Sequence, residues 1–381
     1  MATTAHTERP LGAVPFVDLT HIHAAVRERV LNGIAALLDS NAYINGPQVA
    51  AFEQAFAAYC GRAFCAGVAS GLDALRLALT AGGLEPGDEV IVPANTFFAS
   101  ASAVVQAGGR PVFVDASERD YNLDPTHVED AITPRTRFLM PVHLYGQMAD
   151  MRSLGRLALR HELGIVEDAC QAHGAVRDGL TAGATSTAAA FSFYPTKNLG
   201  AVGDAGAIVT DDPGLIDSVQ ALREHGQRRK NHHELMGYTA RLDTIHAIVL
   251  LEKLPLLEHW NELRREAAHY YNESLDGIGD LELLPVPAGS RPVWHLYPIR
   301  TAYSEELEQF LHDRGIGTGR HYPEPIHLAP AFADHGHRPG SFPVAERLAR
   351  ECITLAIFPG ISEEQLEGVV RAVRDFFEGS R

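Results

Sequence analysis

Lys197 lies between two runs of small and apolar residues, within the stretch FSFYPTKNLGAVGDAGAIVT at residues 191–210. Residues 188–193 and 207–210 are apolar enough to form buried strands, so we expect Lys197 on the connection between two core elements. A partly desolvated lysine has a lowered pKa, and its neutral amine can attack a carbonyl to form a Schiff base. The alternative is a lysine that snorkels from the end of a strand, and spacing alone leaves both interpretations open.

Asp168 is the second candidate for chemistry, because it ends the apolar run GIVED at residues 164–168. At the carboxyl end of a strand in an open α/β sheet, a side chain points into the ligand crevice. Asp168 is therefore a candidate functional residue in such a crevice.

A third feature is the turn at Ser70 and Gly71, which follows a strand predicted at residues 64–69. The helix predicted after the turn has Leu75 and Leu79 on its buried side. Free backbone N–H groups and the positive end of the helix dipole meet at this turn, which makes it a candidate anion site. A tight turn without a ligand is the alternative interpretation.

Short β-rich runs alternate along the chain with segments long enough for helices or crossovers. The runs cover residues 89–92, 111–114, 137–142 and 164–166, and an amphipathic pattern at residues 47–59 predicts a helix before the first strand. This alternation predicts an α/β fold with a mainly parallel sheet that helices cover on both faces.

The chain is long enough for one large and one smaller domain. We expect a large domain over residues 1–250, with an N-terminal arm over residues 1–30, and a smaller C-terminal α+β domain over residues 251–381. Residues 1–15 are polar and are expected to be loose. A helical pattern that begins at Leu250 opens the smaller domain. Its other expected elements, one strand and two helices, cover residues 293–299, 305–314 and 363–377.

The composition limits the class of protein. The chain of 381 residues is 46% hydrophobic and has a formal net charge of −16, which opposes sequence-independent nucleic-acid binding because phosphate contacts need a basic surface. The N-terminal sequence has no basic region followed by an apolar core, and no run of about 18 apolar residues could span a bilayer. We therefore expect a cytoplasmic protein with no membrane or nucleic-acid partner.

Four cysteines and nineteen histidines raise the question of metal binding. The cysteines show no C-x-x-C spacing, so free thiols are favoured over disulfides or zinc. The paired histidines His21/His23 and His232/His233 lack convergent carboxylates at helical spacing. We expect no metal site.

One basic cluster interrupts the acidic sequence between residues 221 and 241. It consists of Arg223, Arg228, Arg229, Lys230 and Arg241. Charge runs of this kind are usually solvated helix ends, and a site for an anionic nucleotide-sugar is the second interpretation.

Six motifs, in this order along the chain, resemble the sugar aminotransferases of the DegT/DnrJ/EryC1/StrS family. They are SGLDALRLAL, VPANTFFAS, VEDACQAHGA, FSFYPTKNLGAVGDAGAIVT, GYTARLDTIHA and HYPEPIHLAP, and the resemblance runs from about Pro15 nearly to the C-terminus. It implies the fold of the fold type I pyridoxal-phosphate (PLP) transferases, with a mainly parallel, seven-stranded-type sheet covered by helices and a smaller C-terminal α+β domain. It also implies PLP as the cofactor.

The resemblance assigns cofactor-binding roles to eight further residues besides Lys197. It implies that Lys197 forms the Schiff base with PLP and later moves a proton, while Asp168 balances the pyridinium. The phosphate-binding turn consists of Ser70, Gly71 and Leu72, where Leu72 stands in place of the usual threonine. The other implied contacts are Ser192 and Thr239 to the phosphate, Gln171 to the phenolic oxygen and Phe97 to the face of the ring.

The resemblance also implies an amino donor, glutamate in most of the family, and a nucleotide-linked keto-sugar as the acceptor. Family members are homodimers with shared active sites, in which an asparagine of the partner contacts the phosphate; Thr239 stands at that position here. The expected substrate-binding residues are Tyr194, Arg241, His321 and Tyr322. FSFYP before Lys197 and HYP at residues 321–323 resemble the members that aminate C-3 of dTDP-linked 3-keto-6-deoxyhexoses.

Three other functions remain open at this point. The acceptor could be a 4-keto-6-deoxyhexose aminated at C-4, or an inosose-type cyclic ketone, because cofactor residues say little about the acceptor. A protein of another class, a non-catalytic regulator that keeps the PLP fold, is the third alternative.

Overall fold

The computed structural model describes residues 13–379, so most of the segment expected to be loose, residues 1–12, lies outside the described range. The strands are β1 (Phe64–Val68), β2 (Glu89–Pro93), β3 (Arg110–Val114), β4 (Thr136–Leu139), β5 (Gly164–Asp168), β6 (Val176–Arg177), β7 (Leu180–Thr181), β8 (Ala188–Ser192), β9 (Gly206–Thr210), β10 (Gln227–Arg229), β11 (His232–His233), β12 (Glu282–Leu283), β13 (Ser290–Arg291), β14 (Tyr297–Arg300) and β15 (Cys352–Leu355).

The α-helices are α1 (Thr20–Ala24), α2 (Arg27–Ser40), α3 (Pro47–Cys60), α4 (Gly71–Ala81), α5 (Phe98–Gln106), α6 (Pro125–Ala131), α7 (Met151–Arg160), α8 (Pro213–Arg223), α9 (Thr244–Lys253), α10 (Leu257–Leu275), α11 (Ser304–His312), α12 (Pro343–Glu351) and α13 (Glu363–Gly379). Short 3-10 helices cover Leu144–Gly146, Leu254–Leu256, Ile326–Leu328 and Pro330–His335.

Seven strands form the central sheet, in the order β1-β9-β8-β5-β4-β2-β3. β8, β5, β4, β2 and β3 pair in parallel, whereas β9 runs antiparallel to both of its neighbours, β1 and β8. Parallel strands that helices cover on both faces are buried throughout, which matches the near-continuous apolar runs of the sequence. The prediction of a mainly parallel α/β sheet is confirmed.

Two apolar clusters cover the faces of this sheet. One includes Phe52 and Phe56 of α3 with Phe191 of β8, and the other includes Leu75 of α4 with Ile208 of β9. Since the side chains of a strand alternate between its two faces, each strand contributes to both clusters.

A third cluster lies in the C-terminal part of the chain, where β12, β14 and β15 form an antiparallel sheet. Tyr271 of α10, Leu307 of α11 and Val369 of α13 are fully buried in it. No helix within residues 13–379 is both long enough and apolar enough to cross a membrane.

Three predicted elements differ from the structure by more than two residues at one end. The strand expected at residues 293–299 begins only at Tyr297, as β14, because Trp294 has a positive φ of 46° that is incompatible with an extended strand. A proline interrupts each of the other two. The strand expected at residues 137–142 ends at Leu139, and Pro141, which has no N–H, interrupts it before Val142 resumes pairing with Asp168. The helix expected from Leu250 begins earlier, at Thr244, and Pro255 separates α9 from α10 by a 3-10 turn.

Candidate active site

Lys197 lies on the loop that connects β8 and β9, as the sequence predicts. Backbone hydrogen bonds tie the connection together: Phe193 donates to Ala205 (2.7 Å), Ala201 donates to Phe193 (2.8 Å) and Lys197 donates to the carbonyl of Tyr194 (2.8 Å). The loop is therefore a fixed platform for the lysine side chain, which extends into a cavity of about 380 Å³.

The Lys197 amine lies beside a histidine ring: its Nζ atom is 3.4 Å from Nε2 of His295. Burial lowers the pKa of Lys197, while the nearby Cys170 and Asp168 act in the opposite direction. The lysine makes no ion pair within the described residues, so burial dominates and favours the uncharged, nucleophilic form.

Asp168 ends β5 and is 6% exposed at the wall of the same cavity. Its Oδ2 accepts a hydrogen bond from the hydroxyl of Ser100 (2.7 Å), and its Oδ1 accepts one from the backbone N–H of Cys170 (3.2 Å). Both donors are uncharged, and no cation of residues 13–379 forms an ion pair with this carboxylate. The site therefore has a buried negative charge available to a cationic group of a ligand.

The turn before α4 forms one end of the cavity. Ser70 is the N-cap, and its hydroxyl accepts from the backbone N–H of Asp73 (3.0 Å). A side chain at position 71 would put its Cβ 2.7 Å from Cβ of Ser192 and 2.9 Å from Sγ of Cys170, so only glycine fits there. Free backbone N–H groups of the first helical turn face this end, which suits an anion.

Gln171 follows β5 in a segment without regular helix, where residues 169–175 form consecutive turns. Its Oε1 accepts from the backbone N–H of Tyr145 (2.7 Å), and its Nε2 donates to the hydroxyl of Tyr322 (3.0 Å). The amide is thereby fixed at the cavity wall with one N–H still available.

Aromatic side chains line the cavity mouth. The rings of Phe97 and Tyr322 lie 5.3 Å apart, and Phe97 and Tyr194 are about half exposed. His321 is anchored through Nδ1, which lies 2.9 Å from Oγ1 of Thr354, and burial lowers its pKa to about 4. A flat apolar ligand can pack against this mouth.

Eleven of the residues predicted from sequence line the cavity together: Ser70, Gly71, Leu72, Phe97, Asp168, Gln171, Ser192, Tyr194, Lys197, His321 and Tyr322. Sequence reasoning missed the other lining residues, Leu75, Thr96, Ala99, Val142, Cys170, Thr196, Asp204, His295 and Leu296. Thr96, Cys170 and Thr196 are direct neighbours of predicted residues and Ala99 lies two residues after Phe97, which is a signal that could have found them. No such signal points to His295, because it is distant in sequence from every predicted site residue.

Thr239 and Arg241 do not line this cavity. Thr239 is exposed, with its hydroxyl 3.4 Å from the ring nitrogens of His225, and Arg241 donates to Glu224 (2.8 Å). The structure therefore does not bring these two predicted residues together with the other predicted site residues.

The basic cluster is only partly solvated. Arg223 pairs with Glu53, and Arg228 pairs with Asp217 and Glu234. Arg229 and Lys230 are exposed near the β10–β11 turn and form no ion pair within the described part of the chain. Over the same residues, no group of three or more His, Cys, Asp or Glu side chains is arranged to hold a metal ion.

Comparison with known proteins identifies the class. Residues 25–374 match the DegT/DnrJ/EryC1/StrS aminotransferase family, and the chain belongs to it. It is similar to dTDP-3-amino-3,4,6-trideoxy-alpha-D-glucose transaminase of Streptomyces venezuelae, with 47% identity over 99% of both chains. The predictions of the family, of a fold type I PLP enzyme and of aminotransferase activity are confirmed.

Two solved structures support the same fold. The crystal structure of S. venezuelae DesV in complex with a ketimine intermediate has a TM-score of 0.94 and 48% identity, covering 96% of this chain and 99% of that one. The structure of NtdA from Bacillus subtilis, solved with the cofactor PMP, has a TM-score of 0.90 and 31% identity, covering 98% of this chain and 87% of that one.

The family depends on PLP, and the residues of this chain fit that cofactor. The cavity combines an anion site where only glycine is accommodated at position 71, a buried carboxylate without a cationic partner at Asp168, and an amine of lowered pKa at Lys197. These groups suit the phosphate, the ring nitrogen and the aldehyde of PLP, respectively.

Proposed function

We propose that this chain transfers an amino group from an amino acid, with L-glutamate as the expected donor, to C-3 of a dTDP-linked 3-keto-6-deoxyhexose. The observation that carries the proposal is the partly buried Lys197 amine, which forms no ion pair among the described residues and lines the cavity. The acceptor is inferred from the S. venezuelae relative, whose name describes a transaminase of a dTDP-linked 3-amino sugar.

PLP supplies an electron sink for the bond changes at the substrate carbon. In our proposal Lys197 would hold the cofactor through its aldehyde, and its amine, when free, would accept and return a proton. Asp168 keeps a proton on the ring nitrogen by opposite-charge attraction in a sheltered site.

The phosphate would be held at the N-terminus of α4. The backbone N–H groups of Gly71 and Leu72 and the hydroxyl of Ser192 are the proposed donors. Ser70, whose hydroxyl donates to Oδ2 of Asp73 (3.1 Å), would shape this end of the site as the N-cap of α4. The Ser192 hydroxyl accepts only a long hydrogen bond of 3.3 Å, from the backbone N–H of Tyr194, so its own proton is available to a phosphate oxygen.

The remaining wall residues would orient the ring and the sugar. We propose that Gln171 donates its free amide N–H to the phenolic oxygen of the ring and that Phe97 covers one face. Tyr194, His321 and Tyr322 would contact the sugar, since they line the same cavity as Lys197.

We further propose a homodimer in which the partner completes each site with Thr239 and Arg241. Large apolar side chains remain exposed on this chain near the lysine loop and the cavity mouth, including Phe97, Tyr194 and Val202 at 53%, 51% and 51%. Exposed apolar groups of this kind mark contact surfaces, and the exposed Arg229 and Lys230 offer positive charge for a nucleotide diphosphate.

Two coarser expectations are retained as part of the proposal. The enzyme would act in the cytoplasm, since its four cysteines are free thiols, as is usual in a reducing compartment. Residues 1–250 would form the large cofactor-binding domain and residues 251–381 the smaller domain, which contributes His295, His321 and Tyr322 to the cavity.

The test offers a dTDP-linked 3-keto-6-deoxyhexose, a dTDP-linked 4-keto-6-deoxyhexose and an inosose separately, each with glutamate, and locates the new nitrogen by NMR. We expect 2-oxoglutarate release and amination at C-3 with the 3-keto sugar, and neither with the Lys197→Ala variant. Efficient turnover of the 4-keto sugar alone would support C-4 amination instead, and turnover of an inosose alone would support the cyclic-ketone alternative. PLP binding without any turnover would support the regulator.

A further inference from the structure

His295 lies beside Lys197 in the folded chain. Its side chain is 8% exposed, and its Nε2 is 3.4 Å from Nζ of Lys197. The surroundings of its other ring nitrogen decide which nitrogen carries the proton, and therefore whether Nε2 donates to the lysine or accepts from it.

A chain of buried amides leads away from His295. Asn261 donates from Nδ2 to the carbonyl of His173 (2.9 Å), so its Oδ1 is turned towards Asn198. Asn198 in turn donates from Nδ2 to Oδ1 of Asn261 (2.8 Å) and to the carbonyl of Val293 (2.9 Å). Both N–H groups of the Asn198 amide are thus used, and its orientation is fixed.

This orientation determines the tautomer of His295. Oδ1 of Asn198 lies 3.2 Å from Nδ1 of His295, and an amide oxygen can only accept. The proton therefore sits on Nδ1, and Nε2 carries the lone pair that faces Lys197. Burial is the main cause that holds the pKa of His295 well below its usual range, and the neighbouring Lys197, Arg264, His321 and His173 act in the same direction, so the ring stays neutral.

The backbone around His295 is fixed as well. The buried Arg264 donates from Nη1 to the carbonyls of Trp294 (3.2 Å), His295 (3.4 Å) and Ile357 (2.9 Å). Trp294 has a φ of 46°, in the left-handed region that bulky residues rarely adopt. A residue in such an unfavourable backbone conformation is kept there only when the surrounding structure enforces it. Residues of this kind cluster at functional sites.

We propose that His295 is a positioning residue for Lys197: its Nε2 accepts one N–H of the amine and keeps the amine nitrogen directed into the cavity. An acceptor engages a hydrogen of the amine and leaves the amine lone pair free, whereas the opposite tautomer would donate to that lone pair and block it. This inference rests on the proposed function, in which Lys197 is the reacting amine.

Several other groups influence the same amine. Cys170 and Asp168 partly offset the lowering of the Lys197 pKa by burial. Lys197 in turn helps to lower the pKa of the rings of His173 and His321. The test must therefore change the hydrogen bond that Lys197 donates to His295 while these groups stay as they are.

Two variants at position 295 do this. In His295→Gln the side-chain amide oxygen reaches about as far as Nε2 of histidine, so it can still accept from Lys197. In His295→Asn the shorter amide reaches only as far as Nδ1, so the contact with Asn198 can be kept while the contact with Lys197 is lost.

The measurement is trace acetylation with acetic anhydride across a pH series, followed by mass spectrometry of the lysine peptides. It uses the full-length chain without cofactor. The chain has only three lysines, Lys197, Lys230 and Lys253, so each is followed separately, and the exposed Lys230 is the internal reference. A hydrogen bond stabilises the ammonium more than the amine, so its loss should lower the pKa of Lys197.

We expect the labelling midpoint of Lys197 to fall by about one pH unit in His295→Asn and to stay within a few tenths of a unit of the parent in His295→Gln. The midpoint of Lys230 should be the same in all three proteins. An unchanged midpoint in the asparagine variant, or an equal shift in both variants, would overturn the positioning role.

A second measurement does not depend on the asparagine variant. In the parent, the [15N]histidine resonances absent from the His295→Gln spectrum belong to His295, and they should show a protonated Nδ1 and an unprotonated Nε2. A proton on Nε2 would overturn the proposal. Borohydride reduction of the parent holoenzyme tests the proposed function separately from the labelling curves. Cofactor covalently fixed to the Lys197 peptide would support the proposed function. The absence of any fixed cofactor would contradict it.

Discussion

The hydroxyl of Ser100 donates a hydrogen bond of 2.7 Å to Oδ2 of Asp168. Ser100 is fully buried on the first turn of α5, and its oxygen also lies 2.9 Å from Oγ1 of Thr96. The carboxylate is thus fixed from a different part of the chain, 68 residues earlier. Since a hydrogen bond to a charged group is stronger than one between neutral groups, this contact orients Asp168 towards the cavity.

Removing this hydroxyl should weaken cofactor binding. We expect Ser100→Ala to raise the Kd for PLP by about tenfold, since a hydrogen bond to a carboxylate contributes about 1.5–3 kcal/mol and part of it is recovered by water. Titration of the cofactor-free chain by fluorescence measures this Kd. Ser102→Ala on the same helix is the control, because the Ser102 hydroxyl only contacts the exposed Gln106. Equal Kd values for the two variants would contradict the role of Ser100.

The attachment point of the cofactor can be identified directly. The holoenzyme should absorb visible light because of a cofactor bound to Lys197, and borohydride should remove this band and fix the cofactor to one lysine peptide. We expect the Lys197 peptide alone to carry it, since Lys230 is exposed outside the cavity and Lys253 is buried away from it. Attachment at Lys230 or Lys253 would show that the assignment of the reacting amine is wrong.

Glycine at position 71 should be essential for the anion site. A Cβ there would lie 2.7 Å from Cβ of Ser192 and 2.9 Å from Sγ of Cys170, so Gly71→Ala must displace the phosphate-binding turn. We expect the free energy of unfolding to fall by about 1–3 kcal/mol and PLP affinity to fall at least tenfold.

Gly155→Ala on α7 is the matched control for that variant. No atom lies within 4 Å of its added methyl group, and helix propensity favours alanine by about 0.5–1 kcal/mol. Urea unfolding should therefore show a more stable protein with unchanged PLP affinity. If Gly71→Ala behaves in the same way as this control, the close contact at position 71 does not limit the site.

The strands of the central sheet could be predicted from sequence, for a physical reason. Both faces of the sheet are covered, so runs such as residues 89–93 are apolar throughout and stand out from the segments around them. Pro141, in contrast, ends β4 within an apolar run that reads as one continuous strand. The positions of Lys197, Asp168 and the turn at Ser70 could be predicted because each lies at or just after the end of a strand, at the same edge of the sheet.

The residues that hold Asp168 and Lys197 in place could not be predicted in this way. Ser100 lies in a run of small residues on a helix, and His295 lies in the irregular segment before β14, so neither shows a periodic pattern. Their roles depend on packing between distant segments: α5 against β5 for Ser100, and the C-terminal part against the lysine loop for His295. Side-chain hydrogen bonds of this kind are absent from local sequence patterns.

Thr239 provides a test of the proposed dimer. Its hydroxyl makes only long contacts of 3.4 Å with His225 in this chain, so it is available to a ligand in a neighbouring chain. We expect Thr239→Ala to raise the Kd for PLP about fivefold, the effect of one hydrogen bond of about 1 kcal/mol. The exposed Thr185 offers a control, Thr185→Ala, that should not change the Kd. Equilibrium dialysis measures both, and an unchanged value for Thr239→Ala would remove it from the site.

Lys253 should make the stability of the protein depend on pH. It is fully buried in α9, donates to the carbonyl of Gly200 in the lysine loop (2.6 Å), and burial lowers its pKa from 10.5 to about 8. Between these two values the unfolded chain holds a proton that the folded chain has lost, so the free energy of unfolding rises with pH. The Lys253→Met variant lacks the titrating amine, so this contribution to the pH dependence of the free energy of unfolding is lost. The difference in unfolding free energy between parent and variant, from urea titrations at about pH 7 and about pH 9.5, should increase by about 2 kcal/mol in favour of the parent. The exposed Lys230, changed to methionine, should give no such increase, and a pH-independent difference for Lys253→Met would mean that the buried amine keeps its ordinary pKa.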